Sequence, residues 1–133
     1  MQNEWSNLLV TQPIRSPSGR TFYAKYISFQ NGCFIALHED SNSLGSISIS
    51  ISSSNKINTA KVIPSKFNSM FVDTISQRVS SMINGICLVS FHSTKQLQFE
   101  DMKAIMDEIM NLIRGEGSRN EDKKVDREQV KRF

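Results

Sequence analysis

Hydrophobic and polar positions along this chain change period several times, and each change marks an element. Ile86–His92 is apolar at consecutive positions rather than alternate ones. Successive side chains on a strand point to opposite faces, so Leu88 and Val89 both need apolar cover, which reads as a buried strand. On either side of it the period lengthens to that of a helix. From Ser69 to Ile83, the residues Phe71, Val72, Ile75, Val79, Met82 and Ile83 fall near one face, with Asp73, Thr74, Gln77, Arg78 and Ser81 on the other. From Phe99 to Ile113 the stripe is Phe99, Met102, Ile105, Met106, Ile109, Leu112 and Ile113. Asn68 or Ser69 can cap the first helix, and Asn84-Gly85 can stop it. Glu100 and Asp101 suit the first turn of the second, Arg114 suits its end, and Gly115 breaks its pattern.

The earlier part of the chain reads as strands. Thr21–Phe29 is rich in aromatic and β-branched residues, and Gln30-Asn31-Gly32 turns it into an apolar run, Cys33–His38, to make a hairpin. Ile47, Ile49 and Ile51 alternate with Ser46, Ser48, Ser50 and Ser52, a period of two that predicts a strand with one buried and one polar face. Asn55–Asn58 is expected to turn the chain into a short strand, Thr59–Ile63, ended by Pro64. Residues 1–20 are polar and irregular, with a short edge strand expected among Leu8, Leu9, Val10 and Ile14. Residues 115–133 are charged and expected to be flexible, as coil or frayed helix. The intervening residues, 21–114, form one domain. Its order of strands, helix, strand and helix predicts an α+β fold: a mainly antiparallel β-sheet with two α-helices on one face.

Composition narrows the class of protein. The 133 residues carry a net charge of +3. From Gly115 onward six cations meet five anions, so neither part has the basic stripe of a nucleic-acid binder. The two cysteines, Cys33 and Cys87, lie in apolar runs, where a free thiol behaves as a small hydrophobe, and a reducing compartment fits. No basic region precedes a long apolar run near Met1, and no stretch reaches the ~18 apolar residues of a membrane span. A soluble, cytoplasmic or nuclear protein is expected.

Several residue groups invite a chemical reading. Cys33 and His38 repeat their spacing in Cys87 and His92, a set that could bind zinc. However, residues five apart on a regular strand face opposite sides, so buried thiols and strand-end histidines are the expected outcome, with no metal and no cofactor. Ser90, His92 and Asp73 could be drawn as a catalytic triad, yet nothing like a nucleophile elbow surrounds Ser90. Gly45 stands among serines rather than in a phosphate-binding loop. Asp73 and Glu100 have no feature that separates them from other carboxylates, and no catalytic residue is assigned. Arg15-Ser16-Pro17 has the form of a proline-directed phosphorylation site, although such tripeptides are common and an ordinary loop is the preferred reading. Met102 and Met106 read as core, while Met110 lies off the stripe and is expected to be exposed. Lys123-Lys124 and Lys131-Arg132 could meet an acidic partner, but a solvated segment is the ordinary outcome for mixed charge.

The apolar cover is the more informative quantity. Cys33–Leu37 and Ile86–Phe91 are apolar on both faces, and Phe22 and Tyr26 give the first hairpin strand a second apolar set beside Tyr23, Ile27 and Phe29. Two helices with one stripe each shield one face. Soluble monomers rarely leave a large contiguous apolar patch in water, so the other face is expected to meet another protein, sheet on sheet. The candidate interface residues are Ile47, Ile49 and Ile51, or the set around Phe34 and Ala36; periodicity does not say which set the helices cover.

In order, the segments Gly32–His38, Gly45–Ile51, Val62–Pro64, the helix Met70–Ile83, Ile86–His92 and Phe99–Ile113 resemble the small proteasome assembly chaperones, most of all the fourth, heterodimer-forming member of that family. The clearest piece is a helix, then Leu88-Val89-Ser90-Phe91 ending in an aromatic, then a final helix; the resemblance spans roughly residues 21–114. It implies a sheet with helices on one side and a heterodimer with a second small assembly chaperone formed through the sheets. It also implies transient binding of an α-type subunit during assembly of the α-ring of the 20S core particle, without catalysis, cofactor or ATP. No residue here can be matched to an α-subunit contact. Two rival readings are a longin- or roadblock-like trafficking adaptor and a small α+β enzyme.

Overall fold

A computed structural model describes residues 9–131, with side chains through Gly115. The elements are β1 (Leu9–Arg15), β2 (Thr21–Phe29), β3 (Gly32–His38), β4 (Ser46–Ser53), β5 (Lys56–Ile63), α1 (Ser69–Ile83), β6 (Ile86–His92) and α2 (Phe99–Lys131). The strands form one six-stranded sheet in the order β1-β2-β3-β6-β4-β5. Every pairing is antiparallel except β3 with β6. The fold is therefore α+β, with strands, helix, strand and helix in the expected order. The run Ile86–His92 enters last and takes a central place, hydrogen-bonded on both sides, which is why it is apolar on both faces.

Local chemistry explains most boundaries. The β4–β5 hairpin turns through Ser54 (φ 52°) and Asn55 (φ 65°). Positive φ at both central residues matches the right-handed twist of the flanking strands. The turn is tighter than the Asn55–Asn58 expectation, so β5 starts at Lys56. Helix α1 ends where Asn84 takes the left-handed conformation (φ 51°, ψ 53°) and the Gly85 N–H donates to the Ser80 carbonyl at 3.1 Å. Asn68 occupies the N-cap position but makes no side-chain cap; its Oδ1 accepts the Leu97 N–H at 3.3 Å instead. A Cβ on Gly45 would collide with the Phe91 carbonyl, and one on Gly32 with that of Ile86. The start of β3 and the residue before β4 meet β6 at these points with no room for a side chain.

Both helices cover the same face. There Phe22, Ile35, Leu37, Val72, Ile75, Val79, Val89, Ile105 and Ile109 are fully buried in one core. Phe91 packs edge-on to Phe22 and Phe71, at centroid distances of 6.3 and 6.1 Å. Helix α1 lies over β4, β5 and β6, and α2 against α1 and β1. Met110 belongs to this core rather than to the surface, while Met82 is exposed. The edge strand falls at Leu9–Arg15; Leu8 and the pairs Lys123-Lys124 and Lys131-Arg132 lie outside the residues whose side chains are described. Helix α2 does not stop at Gly115 but continues to Lys131. A single interior glycine costs about 1 kcal/mol, and the Glu, Lys and Arg that follow it are good helix formers.

Candidate partner-binding face

Register decides which side chains share a face. Phe34 lies opposite Leu88, and Leu88 opposite Ile49; on the outer side Phe34 lies opposite Ile27. One row therefore reads Ile27, Phe34, Leu88, Ile49. The next reads Lys25, Ala36, Ser90, Ile47, and the row on the other side joins Ile86 to Ile51. The two candidate sets, treated as alternatives in the sequence, are one surface: Phe34, Ala36, Ile47, Ile49 and Ile51 all lie on the face opposite the helices. Cys33, Ile35 and Leu37 take the helix side of β3.

This placement corrects one expectation. The alternation in β4 predicts one buried and one polar face, and the ordinary assignment would make the polar serine face the solvated one. Instead Ser48, Ser50 and Ser52 are buried under α1, while Ile47 and Ile49 are half-buried and Ile51 is 45% exposed. The serines let the helix approach, and the hydroxyls of Ser48 and Ser50 are satisfied. Ser50 Oγ lies 2.7 Å from Ser76 Oγ and 2.9 Å from Thr59 Oγ1, and Ser48 donates to Asp73 at 2.6 Å. A buried hydroxyl is tolerable when hydrogen-bonded.

No described element packs over the isoleucine face. Its centre is half-buried, the loop between β3 and β4 reaches one end of it through Asn42 and Gly45, and Leu9, Tyr23, Phe29 and Ile86 extend the apolar surface to its margins as exposed residues. A contiguous surface of this kind is characteristic of a protein–protein contact.

The other candidate groups do not converge. Cys33 and Cys87 sit side by side under the helices as free thiols, 3.8 Å between sulfurs. The Cys33 hydrogen bond, with burial behind it, pushes the Cys87 thiol far above its ordinary pKa. His38 and His92, also paired in register, lie on the opposite face, so the sheet separates the Cys and His pairs. Among the described residues no group of three or more His, Cys, Asp or Glu could hold a metal. Ser90 accepts the Gly45 N–H at 3.0 Å on the open face, whereas Asp73 binds Ser48 and Lys61 on the helix side. A cleft of about 430 Å³ opens between Leu44, Ile63, Phe67, Phe91 and His92, with Lys66 and His92 its titratable side chains.

A buried ionic network escaped the sequence reading. Asp101, fully buried, accepts Ser16 Oγ and Ser18 Oγ at 2.5 Å, the Gln98 N–H at 2.9 Å and Arg20 Nη1 at 3.3 Å. Arg20 also grips Glu39 in a fork, both bonds at 2.7 Å, and Thr94 donates to Glu39 from its backbone and hydroxyl. The network joins the β1–β2 turn, the end of β3 and the start of α2. Burial raises the Asp101 pKa, but the Ser16, Ser18, Gln98 and Arg20 donors outweigh it and hold the carboxyl below its ordinary range. The Ser16 hydroxyl is thereby engaged in holding the fold. Its partner is 85 residues distant, and no local spacing signals such a pair.

No protein-family model matches the chain, and neither does any curated protein. The fold does match a chain from a crystal structure of a novel chaperone complex for yeast 20S proteasome assembly, with a TM-score of 0.55 at 13% identity, over 86% of this chain and 94% of that one.

Proposed function

We propose that this chain is a non-enzymatic assembly chaperone for the 20S proteasome. In this reading it pairs with a related small chaperone through the open face of its sheet, with Phe34, Ala36, Ile47, Ile49 and Ile51 at the contact. The pair then binds an α-type subunit in the cytoplasm or nucleus and promotes α-ring assembly. The observation that carries the reading is the continuous apolar face opposite the helices. The fold it shares with a chain of a proteasome assembly chaperone complex supports it, and so does the order of segments noted in the sequence. An assembly chaperone needs surface rather than catalytic groups, and surface is what the sheet offers. Burying one face of such a sheet against a second sheet also protects it from aggregation until a subunit arrives.

The test is capture of the tagged chain from cells, with identification of what it retains, beside the Ile49→Asp variant. Recovery of a second small chaperone with proteasome α-subunits and without β-subunits is the expected result, and Ile49→Asp is expected to lose the second chaperone. Small GTPases or vesicle-tether subunits in its place would identify a trafficking adaptor. A monomer that retains nothing would remove the pairing reading altogether.

A further inference from the structure

The strands of this sheet contain basic residues and no Asp or Glu. Of the four basic strand residues, Lys61 turns to the helix side and pairs with Asp73 at 3.4 Å. The other three share the open face. Arg15 lies opposite Thr21, two positions along from Pro13 and Tyr23, and Lys25 lies opposite Ala36. Lys56 lies opposite Ser53, on the same side of β4 as Ile51. The apolar centre is thus flanked by Arg15 and Lys25 toward one edge of the sheet and by Lys56 at the other. Among the described residues none of the three makes an ion pair; Lys25 Nζ donates to the neutral Asn42 Oδ1 at 2.6 Å. No described carboxylate lies on these strands: Glu39 and Asp101 belong to the Arg20 network, Asp73 is on α1, Asp40 is in the loop after β3, and Glu100, Asp107 and Glu108 are on α2, where they line a cleft at the sheet's edge that Arg15 borders. His38, on the open face, is held below its ordinary pKa by burial first, then by Lys25 and His92.

We propose that the open face is built for a partner whose matching face has an apolar centre rimmed by carboxylates, and that it rejects a second copy of itself. This rests on the pairing reading above and specifies the partner's chemistry. A symmetric contact between two copies brings the same surface together with itself. The strand side chains of this surface carry positive charge and no carboxylate, so a contact between two copies offers Lys25 and Lys56 no strand carboxylate to pair with as the rim loses water. Like charges across an interface exclude the wrong partner, while opposite charges hasten encounter with the right one. The apolar centre supplies adhesion, and the rim decides what adheres.

The chain itself is the first probe. Sedimentation velocity is run on the wild type, on the variant carrying Arg15→Glu, Lys25→Glu and Lys56→Glu, and on an equal mixture of the two, at roughly 50 and 500 mM salt, where screening lengths differ severalfold. The three substitutions touch no core residue, and circular dichroism checks that the variant folds. The wild type is expected to stay monomeric at micromolar concentration. The mixture is expected to associate at low salt and to dissociate at high salt. The partner recovered in the capture experiment should associate about tenfold faster with the wild type than with the reversed chain at low salt. A wild-type dimer insensitive to salt and disrupted by Ile49→Asp overturns the inference and leaves sheet pairing standing. Equal rates for the two chains, or a mixture that never associates, overturns it as well. Failure to recover any partner that depends on Ile49 is distinct, because it removes the pairing reading itself.

Discussion

Replacing Asp101 by alanine removes one carboxylate and strands four donors. Ser16 Oγ, Ser18 Oγ, the Gln98 N–H and Arg20 Nη1 all lose an acceptor, and Asp101 is 0% exposed, so bulk water does not readily replace it. Arg20 keeps Glu39 and the Gln96 and Lys95 carbonyls, which limits the damage at the guanidinium. Breaking a buried, hydrogen-bonded ion pair from one side costs roughly 3–5 kcal/mol. A small domain has about 5–15 kcal/mol in all. The expected loss is therefore a large share of the total, and it moves the urea midpoint down by roughly 2 M at a typical slope. Asp101→Asn is expected to lose less, since its amide oxygen still accepts the serine hydroxyls while its NH₂ opposes the remaining donors. The assay is urea unfolding followed by far-ultraviolet circular dichroism between neutral pH and pH ~2. The folded carboxyl titrates below the unfolded value of about 3.9, so its contribution is complete above that value. It declines as pH falls from there through the lower folded pKa. The gap between wild type and Asp101→Asn is therefore constant near neutrality and narrows in acid. An Asp101→Ala loss under ~1 kcal/mol, or a gap that does not narrow below pH ~4, would refute the assignment of Asp101 as the fold's ionic anchor.

The two faces of the sheet predict opposite outcomes for one kind of substitution. Val89→Asp puts a carboxylate among fully buried residues and should leave no folded protein, whereas Ile49→Asp should keep near-native unfolding in isolation and lose only pairing, as gel filtration with and without the partner will report. Gly45→Ala drives a methyl into the Phe91 carbonyl, so thermal unfolding should reveal a loss of about 1–3 kcal/mol. Ser16→Ala leaves the Asp101 carboxylate one donor short and should cost about 1.5–3 kcal/mol by urea unfolding, and Ser16→Glu, which sets a second carboxylate against the first, should cost more.

Much of this fold is legible in local pattern, because period, turn residues and helix stops act over a few positions. Thr21–Phe29, Ser69–Ile83 and Ile86–His92 fall on the boundaries the pattern predicts, and the two-sided apolar character of Ile86–His92 already requires a central place in the sheet. The pattern in β4 shows that two faces exist but carries no label for them. Whether serine or isoleucine meets a helix depends on how closely α1 can approach, and Ser50 and Ser76 settle that at 2.7 Å. The union of Phe34 and Ala36 with Ile47, Ile49 and Ile51 likewise depends on β6 lying between β3 and β4, a pairing between residues 35 to 54 positions apart in the chain. The Arg20, Glu39 and Asp101 network has the same origin. Sequence alone determined the elements and the surplus of apolar surface, since both are sums of local preferences. Only tertiary structure decided which residues that surplus exposes and which charges surround it, because register between distant strands is fixed by the packing of the whole sheet under its helices.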